Sequence, residues 1–375
     1  MHEPMNICLV SLQARGALMP GCARKIGGAE RQIAMLGRAL AQRGHRVTVV
    51  VEDEGQRPRE TADGVTLVKL PQPPEQPTVV GRLWRRIVSG RRLGRLLREL
   101  RADVYIQMTA GAETGITQAA AAATGAPFVY LFANDDEFGP PWRRGGGLAG
   151  RLFRRGVGRA MVVVAQNEQQ AEWCDRQYGR TAVAMPSMFE FGPGPYAEGR
   201  ALLWLARCHR QKRPDLLLDL AERLPGREFI MAASPSEAEP DLFERIRKRA
   251  EAMDNVEFHP GVAPDRTRGL YRRAAVLVCT SDYEGLPNTF MEAADAGVAI
   301  LSLKVDPGGV LSRERTGLLA GGDPGRLAEL AERLLEEETL RGELVARARR
   351  IYRERHDLEQ VAHRIERMLV KAKGI

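Results

Sequence analysis

The sequence predicts an α/β protein of two halves, each a mostly parallel sheet covered by helices, with a cleft between them. Three observations carry this expectation. Short continuous apolar runs alternate with longer stretches of helical periodicity, the pattern of strands buried on both faces. The 375 residues exceed what one hydrophobic core usually serves. A proline- and glycine-rich stretch over 185–195 interrupts the alternation and reads as a linker. It divides the chain into a first half of 1–190 and a second of 191–355, with a last helix over 356–375 placed to pack back on the first half.

Composition narrows the class. Apolar residues make up 44% and charged residues 28%, which is globular with core to spare. The net charge of +8 favours an anionic partner: nucleotide phosphate, phospholipid or nucleic acid. The five cysteines are scattered without a CxxC pair and read as buried free thiols of a reducing compartment rather than disulfides or zinc ligands. The first residues run straight into a strand, without the charged and apolar regions of a signal peptide, and no apolar run approaches the ~20 residues of a membrane span. The expectation is a cytoplasmic protein.

The first half opens with an apolar strand over 6–12 and a long basic loop ending at Gly27-Gly28-Ala29-Glu30. Ile33, Leu36 and Leu40 then recur at helical spacing before a strand over 47–51. This is a βαβ opening without the G-x-G-x-x-G spacing of a dinucleotide site, so hydride transfer is disfavoured. Gly27 and Gly28 fit two readings: a tight turn, or close approach of backbone to a phosphate or sugar. Residues 81–101 interleave Leu83, Trp84, Ile87 and Leu93 with eight arginines, and 142–155 repeat the arginine-plus-aromatic pattern. Binding to an anionic membrane surface needs this combination, and a core-packed helix with a solvated basic face accounts for it equally. Strands over 103–107 and 127–132 follow. The second leads into Asn134-Asp135-Asp136-Glu137, where adjacent carboxylates suit a cation, an acceptor hydroxyl or a solvated turn. A strand over 160–165 and a helix start at 166–170 close this half.

The second half opens with a strand over 201–206. Arg207 and Lys212 flank the turn into the next helix, where two fixed cations can converge on a pyrophosphate. Strands over 228–233 and 256–262 and helices over 241–252 and 265–273 continue the alternation. A strand over 275–279 then runs into Ser281-Asp282-Tyr283-Glu284-Gly285-Leu286-Pro287-Asn288, a helix carrying Glu292, and Gly297. Asn288 is a competent N-cap and Gly297 a left-handed stop. A helix starting just past a strand's carboxyl end directs free N–H groups at an anion. Glu284 and Glu292, if both were helical, would lie ~12 Å apart along the axis, too far for the carboxyl pair of a retaining glycosidase. They are expected to hold different parts of one ligand. After a strand over 298–303, amphipathic helices are expected over 325–349 and 358–371.

With these residues in view, the chain resembles the family 4 glycosyltransferases of the GT-B fold, two Rossmann-like doubly wound domains facing across a cleft. The family's E-x7-E element is matched by Glu284 and Glu292, its G-R-x4-K element by Arg207 and Lys212 with Ala206 in the glycine's place, and its N-terminal glycine-rich turn by Gly27-Gly28. The resemblance implies a retaining, metal-independent transfer of a sugar from a nucleotide-sugar donor to a glycan or lipid-linked acceptor, without a cofactor. It implies that Arg207 and Lys212 bind the donor diphosphate, Glu292 the ribose and Glu284 the sugar. Gly285, Leu286, Pro287 and Asn288 would lie against sugar and phosphate, and Val262 in the turn that meets the base. Gly27 and Gly28 would line the acceptor side. Where many relatives carry a cleft histidine this chain has Ala133-Asn134-Asp135-Asp136, so Asn134, Asp135 and Asp136 are the acceptor-side candidates. A nucleotide-sugar epimerase, a phosphorolytic enzyme or a silent nucleotide-binding scaffold can use the same fold. Nucleic-acid binding rests on charge alone, with no recognition module.

Overall fold

A computed structural model describes residues 3–19, 27–74, 78–133, 135–138, 147–236, 239–263 and 266–374. The chain forms two compact units, Met1–Phe189 with His356–Ile375, and Glu190–Arg355.

The first unit runs β1 (Asn6–Val10), α1 (Arg15–Leu18), α2 (Gly28–Gln42), β2 (Arg46–Glu52), β3 (Arg59–Ala62), β4 (Val65–Leu70), α3 (Val79–Leu100), β5 (Val104–Met108), α4 (Ala112–Thr124), β6 (Phe128–Leu131), α5 (Leu148–Arg159), β7 (Val162–Ala165), α6 (Glu168–Tyr178) and β8 (Val183–Ala184). Its strands lie in the order β3-β4-β2-β1-β5-β6-β7-β8. All neighbours pair parallel except β3 with β4, an antiparallel hairpin at the edge. The parallel-sheet expectation is corrected there. Asp63 and Gly64 both take positive φ, 49° and 79°, the two-residue turn that matches strand twist. The second unit runs β9 (Ala201–Arg207), α7 (Pro214–Arg223), β10 (Phe229–Ser234), α8 (Pro240–Glu251), β11 (Val256–His259), α9 (Thr267–Arg273), β12 (Ala274–Cys279), α10 (Asn288–Ala296), β13 (Ala299–Ser302), β14 (Leu318–Leu319), α11 (Pro324–Glu336) and α12 (Glu338–His356). Its sheet order is β11-β10-β9-β12-β13-β14, parallel throughout. In both units the first strand has neighbours on either side reached by crossovers in opposite directions, the doubly wound arrangement.

The continuous helix expected over 325–349 is two helices. Glu337, with ψ 82°, leaves helical geometry between α11 and α12. The last helix, α13 (Leu358–Lys373), packs on α2 within the first unit. Val361, Ile365 and Leu369 join Ile33, Leu36 and Leu40 in one apolar layer over the sheet. On the sheet's other face, Leu93 and Leu97 of α3, Ala120 and Ala121 of α4, and Phe153 and Val157 of α5 cover Tyr105, Tyr130 and Phe132. Helices α4 and α5 approach closely because Gly115 faces the backbone of Leu152 and Gly156 that of Thr114, leaving no room for a Cβ on either. Cys8, Cys174, Cys208 and Cys279 are buried free thiols, and Cys22 lies outside the described residues. Burial pushes the Cys8 thiol up to about 12 and those of Cys174 and Cys208 to about 11.

Candidate functional site

In a doubly wound sheet the loops that leave two neighbouring strands in opposite directions open a crevice beyond their carboxyl ends. In the second unit those strands are β9 and β12, and the crevice-forming loops carry the residues that the motifs single out. Strand β9 ends on Arg207, which is exposed and whose guanidinium has no hydrogen-bond or ion-pair partner among the described residues. A 3-10 turn, Arg210–Lys212, follows.

Hydrogen bonds fix this turn against the loop after β12. Trp204 Nε1 donates to Thr280 Oγ1 at 2.9 Å, and Thr280 Oγ1 donates to the carbonyl of Lys212 at 2.6 Å. Gln211 bridges in both directions: its carbonyl accepts from the amide of Asp282 at 2.9 Å, and its side chain donates to the carbonyl of Tyr283 at 2.6 Å. Lys212 Nζ then lies 2.5 Å from Glu284 Oε2, while Ser281 Oγ donates to Glu284 Oε1 at 2.5 Å. The cation and carboxylate expected to hold different parts of a ligand are therefore paired with each other. Their side chains are 22% and 16% exposed, so the pair is little screened, and removing one partner leaves the other charge uncompensated. Beneath them Cys279 is held up by burial and then by the Glu284 charge, an inert thiol.

Helix α10 begins one residue earlier than the N-cap reading of Asn288 allows. Pro287, extended at φ −63° and ψ 131°, takes the cap position and Asn288 is the first helical residue. Proline's fixed φ suits an extended entry, and the consequence is a helix start without a side-chain cap. Gly297, at φ 88°, ends α10 in the left-handed conformation. Glu292 lies within α10, where the buried Tyr271 of α9 donates to its Oε2 at 2.9 Å. Val262 is half-buried just past β11, after a turn in which Gly261 has φ 85°. At the rim, Asp282 Oδ1 meets Lys304 Nζ at 2.9 Å and Arg213 at 3.8 Å. The spacing of the motifs marks Arg207, Lys212, Glu284 and Glu292. It gives no sign of Ser281, Thr280, Trp204 or Tyr271, whose roles come from packing of separate segments.

In the first unit Gly27 is the N-cap of α2 and Gly28 its first residue. Gly27 is extended, with φ −85° and ψ 172°, and neither glycine takes positive φ. A left-handed turn is therefore not the reason for the pair. The carboxylate of Glu30 folds back into the space a Gly27 side chain would take. Asn134 and the side chains of Asp135 and Asp136 lie outside the described residues. Their neighbour Glu137 is turned inward, 1% exposed, and accepts from Tyr130 OH at 2.7 Å and from the amide of Ala133 at 3.0 Å. It holds the 3-10 turn Asp135–Phe138 to the end of β6. Among the described residues no three metal-ligating side chains converge.

Two family descriptions match, one within each unit. Residues 27–186 match the Glycosyl transferase 4-like domain and residues 199–337 the Glycosyl transferases group 1 domain. The chain is built of two glycosyltransferase domains. Curated relatives include D-inositol 3-phosphate glycosyltransferases. That of Frankia alni is 29% identical over 42% of this chain and 44% of its own length. That of Acidothermus cellulolyticus is 29% identical over 51% of this chain and 50% of its own. The chain thus spans about half the length, or less, of the curated relatives it matches. Solved structures share the GT-B fold over almost the whole chain. The sucrose-phosphate synthase of Thermosynechococcus elongatus superposes with a TM-score of 0.76 at 16% identity, covering 98% of both chains. The catalytic domain of starch synthase IV from Arabidopsis thaliana, bound to ADP and acarbose, gives 0.74 at 13% identity, covering 99% of this chain and 100% of that one. HepE of Anabaena in complex with UDP-glucose gives 0.70 at 16%, covering 98% and 100%. No helix among the described residues is long and apolar enough to cross a membrane.

Proposed function

We propose that this chain is a retaining family 4 glycosyltransferase that moves a sugar from a nucleotide-diphosphate donor to a glycan or lipid-linked acceptor, with no metal or other cofactor. The observation that carries the reading is the crevice at β9 and β12, which brings together Arg207, without a partner among the described residues, the Lys212–Glu284 pair and the uncapped start of α10. Breaking the anomeric bond places negative charge on the leaving diphosphate. Arg207, Lys212 and the α10 amides are positioned to stabilise it, the work a divalent cation performs elsewhere. Lys212 then exchanges Glu284 for phosphate as the donor enters, which frees Glu284 to accept from the sugar's hydroxyls. Glu292, oriented by Tyr271, accepts from the ribose hydroxyls. Gly285, Leu286 and Pro287 lie against sugar and phosphate, and Val262 against the base. Gly27, Gly28, Asn134, Asp135 and Asp136 serve the acceptor, whose proton passes to the leaving phosphate.

A lipid-linked acceptor fits a cytoplasmic enzyme at the inner face of a membrane, touching anionic lipid through 81–101 and 142–155 and serving cell-surface polysaccharide synthesis. The name of the curated relatives makes a phosphorylated cyclitol the second acceptor class to test. A panel of nucleotide sugars read by thermal shift identifies the donor, since a ligand at 100 times its Kd adds about 2.7 kcal/mol. Lys212→Ala and Glu292→Ala should then each lower transfer by about 100-fold or more without unfolding the protein. Unaltered turnover in either variant rejects the site assignment, and epimerised donor in the absence of acceptor rejects transfer as the activity.

A further inference from the structure

Helix α3 is two different structures end to end. From Val80 to Arg92 no described side chain is buried; Leu93 is the first, followed by Leu97. The second half is held to the sheet through those leucines, and Gly90 and Gly94 set it against Ile116 of α4. The first half overhangs. Val80, Leu83, Trp84 and Ile87 are 78%, 57%, 47% and 44% exposed, and at 3.6 residues per turn they form one stripe. Arg91, Arg95 and Arg98, all exposed, continue that same stripe toward the C-terminus. Within α3 the only acidic residue is Glu99. Helix α5, across α4, opens on Leu148, 66% exposed, followed by Arg151, Arg154 and Arg155. Both helices precede parallel strands, so both start at the carboxyl edge of the first unit's sheet.

A projecting helix of this length is marginal in water by itself, and Gly81 costs it about 1 kcal/mol against alanine. Something must cover its apolar stripe. Nucleic acid would engage the arginines and leave four large apolar side chains in water. A second copy meeting it face to face would set arginines against arginines, since Glu99 is the only acidic residue of α3. An anionic bilayer offers hydrocarbon and phosphate at adjacent depths.

We propose that the first half of α3 is a membrane-docking helix, with Val80, Leu83, Trp84 and Ile87 at the acyl boundary and Arg91, Arg95 and Arg98 on lipid phosphate. This deepens the membrane part of the proposed function, and its readout is binding rather than turnover, so either can fail alone. The full chain is sedimented with vesicles of phosphatidylcholine, with and without phosphatidylglycerol, while light scattering follows its mass. The wild type is expected to pellet with the anionic vesicles only, less as salt is raised. Leu83→Glu with Trp84→Glu should cut binding at least about tenfold, as expected for two lost apolar insertions, with unchanged melting. Arg91→Glu with Arg95→Glu should abolish the preference for anionic lipid. The proposal is overturned if the first pair binds like the wild type, if neutral and anionic vesicles pellet the chain equally, or if these residues mediate a dimer and no vesicle binding.

Discussion

Glu284 and Glu292, eight positions apart in sequence, are held by unrelated means. Glu284, in the loop before α10, is fixed by Lys212 and Ser281, and Glu292, within α10, from a neighbouring helix by Tyr271. Each carboxylate thus has its position set before any ligand arrives, which limits the ordering cost of binding. Tyr271→Phe removes one hydroxyl and no volume elsewhere. Losing one hydrogen bond to a charged group costs about 1.5–3 kcal/mol, so the donor KM should rise roughly ten- to a hundredfold while kcat stays near the wild-type value. Steady-state kinetics with the identified donor decide it; a fall in kcat at constant KM would show that Glu292 acts at the reacting bond instead. At this scale the motif positions were legible because each motif is local. The hydroxyls that orient them were not, since Tyr271 reaches Glu292 across 21 positions and Thr280 reaches Lys212 across 68.

Elements read well wherever burial alone decides them. Strands β1 and β5 are apolar and buried almost throughout, as a sheet covered on both faces requires. The hairpin of β3 and β4 escaped because its first strand, Arg59–Ala62, is polar at the edge; the Asp63-Gly64 turn is the signal that could have found it. Helix α4 carries an alanine run with too little contrast between its faces to announce itself. Helix α13 is tied to the first unit by charge as well as by its apolar face. Glu366 accepts from Arg43 at 2.6 Å, and from Nε2 of the buried His45 at 3.1 Å, whose Nδ1 accepts from the Met5 amide. Burial pushes the Glu366 carboxyl up, but the hydrogen bonds of Arg43 and His45 and the Arg43 charge outweigh it and hold it below the ordinary value. A carboxyl depressed in the folded state adds stability that is complete above its unfolded pKa of about 4.3 and is lost as pH falls through the folded value. Glu366→Gln should therefore be less stable at neutral pH, with the gap closing on acidification below about pH 4. Urea midpoints at both pH values measure this, and a gap that persists in acid would assign the helix's attachment to packing.

On the scale of the molecule, two doubly wound sheets place their first strands centrally, and in the second unit this puts the Arg207–Lys212 turn and the Glu284 loop side by side. Donor recognition belongs to that unit under the proposed function. Hydrogen exchange with the donor's nucleoside diphosphate should slow the amides of 208–212 and 280–291 and leave those of 28–31, at the start of α2, unchanged. Protection confined to the first unit would reverse the assignment of donor and acceptor sides.

The alternation of buried strands and amphipathic helices, the linker-like composition near residue 190 and the spacing of four charged residues lie in the sequence by itself, because each depends on local periodicity or on a loop of a few residues. The pairing of Lys212 with Glu284, the inward turn of Glu137 and the division of α3 into a packed and a projecting half do not. They arise where segments distant in the chain meet, and only the tertiary structure says which side chains find a partner and which are left facing water.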